Sequence, residues 1–123
     1  MRTYNGSGTY RLPHIVGLKQ AMEIALLGDR FDAQRALELG LVNRVVPAGG
    51  LVDTTRALAA CLAAGPTRAL GRTKRLLNDS LNRTLFEQLL AEQESFAACA
   101  VETDFANGVQ ALVEKRKPRV EGR

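Results

Sequence analysis

The chain has 123 residues and a mass of 13.4 kDa, with 46% apolar and 24% charged residues, which fits one globular domain and excludes a disordered, collagen-like or disulfide-framework polypeptide. Charges interrupt every apolar run well short of the roughly 18 to 20 residues of a membrane span, and Met1 to Gly8 lack the apolar core of a signal peptide, so a cytoplasmic chain with no membrane partner is expected. The net charge of +4 sits in the C-terminal tail, where Lys115, Arg116, Lys117, Arg119 and Arg123 face only Glu121; with the rest of the chain balanced, no nucleic-acid-binding face is expected.

In chain order, the residues Gly6-Ser7-Gly8 predict a turn into a short helical stretch that ends at Pro13 or Gly17. Leu18 to Leu27 follows as an amphipathic helix, with Leu18, Met22 and Ala25 on its apolar face and Gly28 as its left-handed stop. Asp32 reads as the N-cap of a helix over Ala33 to Leu39, closed by Gly40. Leu41 to Val46 is the one stretch with strand character, closed by Pro47, and nothing else in the chain offers it a partner. Helices are then predicted over Leu51 to Ala64 and over Thr67 to Leu81, separated by Gly65-Pro66, the second with a basic ridge of Arg68, Arg72 and Arg75. Thr84 and Glu87 form a capping-box pair before Leu85 to Val101, and Thr103-Asp104 opens a last helix running to about Lys117. The expectation is a mainly α chain of about six helices with one short strand.

Residue chemistry alone offers little. The single histidine, His14, lies between Pro13 and Ile15 and reads as structural. Cys61 and Cys99 fall in Ala-rich surroundings and read as small buried thiols. No Cys-x-x-Cys or His-Glu-x-x-His spacing occurs, so no metal site is expected. Gly6 to Gly8 lacks the Lys-Ser/Thr of a phosphate loop, and the carboxylates are dispersed along helix surfaces. A general acid needs desolvation to bring its pKa towards neutrality, and no catalytic residue can be named on that ground.

Four stretches in order change the reading. Gly8-Thr9-Tyr10-Arg11-Leu12-Pro13 with Val16-Gly17 resembles the "GGT-x-RLPR-x-VG" segment of the crotonase family, the enoyl-CoA hydratases and isomerases. Ala21 to Asp29 is similar to its "AME-x-x-LTG-(D/E)" helix, and Ala33 to Pro47 to its "A-x-x-A-x-x-x-GLV-x-x-VVP" stretch. Asp104-Phe105 with Gly108, and Glu114 to Pro118, resemble the ending "DF-x-EG-x-x-AF-x-EKRKP". The lead-in departs from the family, with Tyr4 at a usual proline and Asn5 where Asp or Gly is common.

The resemblance implies the C-terminal helical part of a crotonase-like fold: residues 1–17 as the glycine-rich turn and short helix at the end of the family's core, and 18–123 as the helical trimerisation and CoA-covering domain. The oxyanion hole and the acid/base carboxylates of the family lie upstream of the glycine-rich turn, so this stretch by itself is expected to be inactive. The intact enzyme of such a family hydrates an enoyl-CoA thioester, or shifts its double bond, through an enolate-like intermediate, in fatty acid metabolism and with no cofactor beyond the coenzyme A thioester substrate. The resemblance places Phe96 near the CoA adenine and Lys115 on the CoA phosphates, with Asn5 and Gly6 at the pocket floor. It also implies acyl-CoA as partner and self-association as a trimer or hexamer. The alternative is a stand-alone helical oligomerisation or CoA-binding module without catalysis.

Overall fold

The computed structural model describes residues 8–122, which form seven α-helices and two single-turn 3-10 helices. The chain divides into two compact units, one ending at Leu51 and the other beginning at Val52.

In the first unit, α1 (Gly8–Val16) packs on α2 (Leu18–Leu27). Gly17 joins them at φ +78, a left-handed backbone that glycine adopts without a Cβ clash, and its N–H donates to Pro13 O at 3.0 Å. Of the two stops that the sequence offers, the helix therefore uses the glycine and passes through the proline, which removes only the N–H that Thr9 O would otherwise receive. Ala21 is buried in the α1–α2 contact, beside an apolar groove lined by Leu12, Pro13, Leu18 and Met22. α2 ends at Gly28, whose N–H returns to Ile24 O at 3.2 Å. The Asp32 carboxylate caps α3 (Ala33–Glu38) by accepting the Arg35 N–H at 2.8 Å. Left-handed Gly40 then closes it, with the Leu41 N–H donating to Ala36 O at 2.9 Å.

The strand expected over Leu41–Val46 does not form; no strand occurs among the described residues. A ladder needs N–H and C=O groups from a second extended segment, and the described residues supply none. The segment runs instead as irregular backbone into Pro47 and a 3-10 turn, Ala48–Gly50.

The second unit begins within α4 (Leu51–Ala63). After Gly65-Pro66, α5 (Thr67–Asp79) runs into the 3-10 turn Ser80–Asn82. The capping box opens α6 (Leu85–Ala100) as its sequence predicts: Glu87 Oε2 accepts the Thr84 N–H at 2.7 Å while Thr84 Oγ1 accepts the Glu87 N–H at 3.3 Å. Those same bonds, the Thr84 main-chain one foremost, hold the Glu87 carboxyl below its ordinary pKa. α7 (Thr103–Val113) follows, and α6 packs against both α5 and α7.

α7 stops four residues before the expected Lys117. Lys115 takes φ +52, and the Arg116 N–H reaches back to Ala111 O at 3.0 Å, the bonding of a Schellman stop built on lysine where glycine is usual. Cys61 also departs from expectation, being exposed on α4, while Cys99 is half-buried; both are free thiols.

Candidate functional site

Phe96 lies on the fourth turn of α6, in a groove it lines with Ala69, Thr73, Leu76, Leu89 and Gln93 of α5 and α6. Its ring meets Phe105 of α7 edge-on, with centroids 5.9 Å apart and planes at 89°. The remainder of the ring is open: Phe96 is 64% exposed. An aromatic held at one contact and otherwise largely exposed is suited to stacking on another flat ring system.

Lys115 stands in the turn after α7 and is not among the residues lining the Phe96 groove. Its neighbours are occupied with one another. Glu114 accepts from Gln110 Nε2 at 2.9 Å and from Arg116 Nε, and these contacts, Arg116 first, keep its carboxyl below the ordinary range. Arg116 also donates to Lys117 O at 3.3 Å. Among the described residues Lys115 forms no ion pair, so its ammonium is available to an external anion. Asn5 and Gly6, the expected pocket floor, lie outside the described residues.

Two carboxylates stand out by burial, and structural contacts occupy both. Glu102, with a side chain only 9% exposed, pairs with Arg72 at 3.1 Å and lies 4.0 Å from Arg68, tying the α6–α7 turn to the basic ridge of α5. Asp104, 8% exposed, accepts the main-chain N–H groups of Glu121 and Gly122, each at 2.7 Å. From the sequence Asp104 reads only as a helix opener; this contact is not legible there, because its partners are backbone groups that leave no mark in residue identity. A cavity of about 390 Å³ lies nearby, lined by Ala69, Cys99, Phe105, Val109, Leu112 and other residues. His14, read as structural, sits with Nδ1 2.7 Å from Tyr10 O, and its ring lies tilted by 43° against the Tyr10 ring, with centroids 4.8 Å apart. No group of three metal-ligating side chains occurs among the described residues, and no helix there is long and apolar enough to cross a membrane.

A family model for enoyl-CoA hydratase/isomerase matches residues 3–123, and the chain belongs to that family. It is 37% identical over 116 residues to the 1,2-epoxyphenylacetyl-CoA isomerase of Escherichia coli, covering 94% of this chain and 44% of that protein. It is 36% identical over 110 residues to the mitochondrial enoyl-CoA hydratase of Pongo abelii, covering 89% of this chain and 38% of that protein. The crystal structure of an enoyl-CoA hydratase from Mycobacterium tuberculosis matches with a TM-score of 0.87 at 34% identity, over 97% of this chain and 47% of the other. A second, from Bacillus anthracis, gives 0.87 at 32% identity over 95% and 45%. The chain thus spans less than half the length of these relatives.

Proposed function

We propose that this chain is the helical, CoA-facing and oligomer-building part of an acyl-CoA hydratase/isomerase. The observation that carries the reading is the match of nearly the whole chain, at a TM-score of 0.87, to less than half of a solved enoyl-CoA hydratase. In the intact enzyme the reaction is hydration or a double-bond shift of an enoyl-CoA thioester through an enolate-like intermediate, with the thioester as substrate and no separate cofactor. Phe96 stacks on the adenine, and the Lys115 ammonium pairs with the CoA phosphates as a flexible point charge. Asn5 and Gly6 belong to the pocket floor.

The oligomer, a trimer or hexamer, covers apolar side chains that the chain leaves open. Leu18 and Met22 on α2, and Leu77 on α5, are each more than half exposed. Isolated apolar residues on a surface need no explanation, but stripes of them along two helices call for a covering partner. The two buried carboxylates are both engaged in structure, which supports assigning the acid/base chemistry to the rest of the enzyme.

The test is calorimetric titration of the 123-residue chain with CoA, run on Lys115→Ala and Phe96→Ala alongside the unmodified protein. Each substitution is expected to weaken binding about tenfold, the loss of one charge-assisted contact or one stacked face. An unchanged Kd in both variants removes the CoA reading. Crotonyl-CoA incubated with the chain alone is expected to hydrate no faster than in buffer.

A further inference from the structure

The last residues of the chain are held in a way that neither the basic composition of the tail nor the CoA reading requires. Pro118 and Val120 line the cavity of about 390 Å³, together with Ala69 of α5, Cys99 of α6 and Phe105 and Leu112 of α7. The alternate residues carry the charge: Arg119, 86% exposed, lies 3.7 Å from Glu121 in an ion pair. This two-residue alternation puts the apolar pair on the groove and the ionic pair on the water side. At the far end, Asp104 Oδ1 accepts the Glu121 N–H and Oδ2 the Gly122 N–H, both at 2.7 Å. Gly122 has φ +75, and a Cβ there would lie 2.6 Å from Thr67 Oγ1, so the chain passes close against the first turn of α5.

We infer that Asp104 is a positioning residue whose carboxylate fastens residues 118–122 as a strap across the α5–α7 groove and thereby fixes the far end of the basic turn Lys115–Lys117. A mostly buried carboxylate must have donors to offset its lost hydration, and two short bonds from adjacent main-chain amides provide them. The near end of the turn is set by the left-handed Lys115 and the Arg116 N–H bond to Ala111 O, and the far end by the strap. The turn is therefore a closed loop whose backbone is held in place before any anion arrives, which lowers the ordering cost of binding one. The fastening stands on geometry alone; only the identity of the anion rests on the CoA reading.

The experiment is residue-resolved amide hydrogen exchange on the full chain, with the amides of α6 as internal control. In Asp104→Ala the Glu121 and Gly122 amides are expected to exchange at least about tenfold faster, and the Arg116 amide severalfold faster, while α6 is unchanged. Asp104→Asn keeps a single acceptor oxygen, so it is expected to retain protection at only one of the two amides, a pattern that general destabilisation does not produce. Gly122→Ala leaves the carboxylate intact and is expected to release the same amides through its clash with Thr67. Unchanged exchange at Glu121 and Gly122 in both Asp104→Ala and Gly122→Ala overturns the inference, as does equal acceleration of the α6 amides. Faster exchange at those two amides with CoA affinity unaltered supports the strap and removes its role in ordering the turn for CoA, whereas the CoA reading itself stands or falls with Lys115→Ala and Phe96→Ala.

Discussion

Two stretches of this chain are built of similar residues and behave differently. Residues 41–46 and residues 118–122 each follow a helix closed by a left-handed residue, Gly40 in the first case and Lys115 in the other. Each contains valine and either includes or borders a proline. Residues 41–46 have the stronger β-character, yet Val42 and Val45 are exposed and the segment joins no ladder among the described residues. Residues 118–122 have the sequence of a solvated cationic tail, yet they are half-buried at Val120 and tied by two main-chain bonds to Asp104. The difference lies in where the backbone N–H groups find acceptors. Strand propensity describes side chains that suit a pleated surface, and without a partner strand it fixes nothing.

The comparison can be tested first at the base of the tied segment. Glu102 holds the α6–α7 turn against Arg72, whose Nε is buried and has no hydrogen-bond partner among the described residues. Glu102→Ala removes the guanidinium's remaining counter-charge. Because the Arg72 side chain is 38% exposed, water recovers part of the loss, and a cost of about 1 to 2 kcal/mol is expected from the urea unfolding midpoint. A cost below about 0.3 kcal/mol, within the range of an ordinary surface ion pair, would mean that the platform beneath the strap does not depend on this contact.

Local chemistry made most of the helices legible in the sequence. Asp32, Gly28, Gly40 and the Thr84–Glu87 box each satisfy bonds within a few residues, and their partners can be counted along the chain. Family membership was legible too, since the motifs run in order over nearly the whole chain and the family model matches residues 3–123. What failed depends on distant neighbours. Cys61 was expected to be buried from its Ala-rich setting, but Leu58 and Leu62 on the same helix are exposed as well, because composition does not bury a face without an element packed on it. The strap was invisible because Asp104 meets backbone groups 17 and 18 residues away. The stop at Lys115 was missed for another reason: lysine is a good helix former, and only the geometry shows it in a position that favours glycine.

Lys115 serves two ends with opposite demands. A non-glycine residue in the left-handed region costs about 1 to 2 kcal/mol relative to glycine, whereas its ammonium is the group proposed to meet CoA phosphates. Lys115→Gly is therefore expected to raise the unfolding free energy by about 1 kcal/mol in urea titrations while weakening CoA binding. Gly40 already relieves the equivalent strain at the start of the untied segment, so no such gain is available there. Should Lys115→Gly lower stability, the Schellman stop would not be the conformation the chain holds in solution.

The smallest expected effect tests the comparison most directly, because it makes the same chemical change in both segments. Val120 is half-buried against the groove and Val45 is 40% exposed with no ladder beside it. Truncating each valine to alanine removes the same two methyl groups. At Val120 the loss comes from apolar surface already withdrawn from water, and a destabilisation of about 1 kcal/mol is expected. At Val45 a larger share of the side chain stays in water in the folded state, and the change is expected to be smaller, about 0.5 kcal/mol. The informative quantity is the difference between the two midpoints, since the alanines' own propensities largely cancel. Equal costs would show that residues 41–46 are held by something the isolated helices do not supply. A larger cost at Val45 than at Val120 would reverse the order of the two segments, and a negligible cost at Val120 would leave Asp104 holding a tail that contributes nothing to stability.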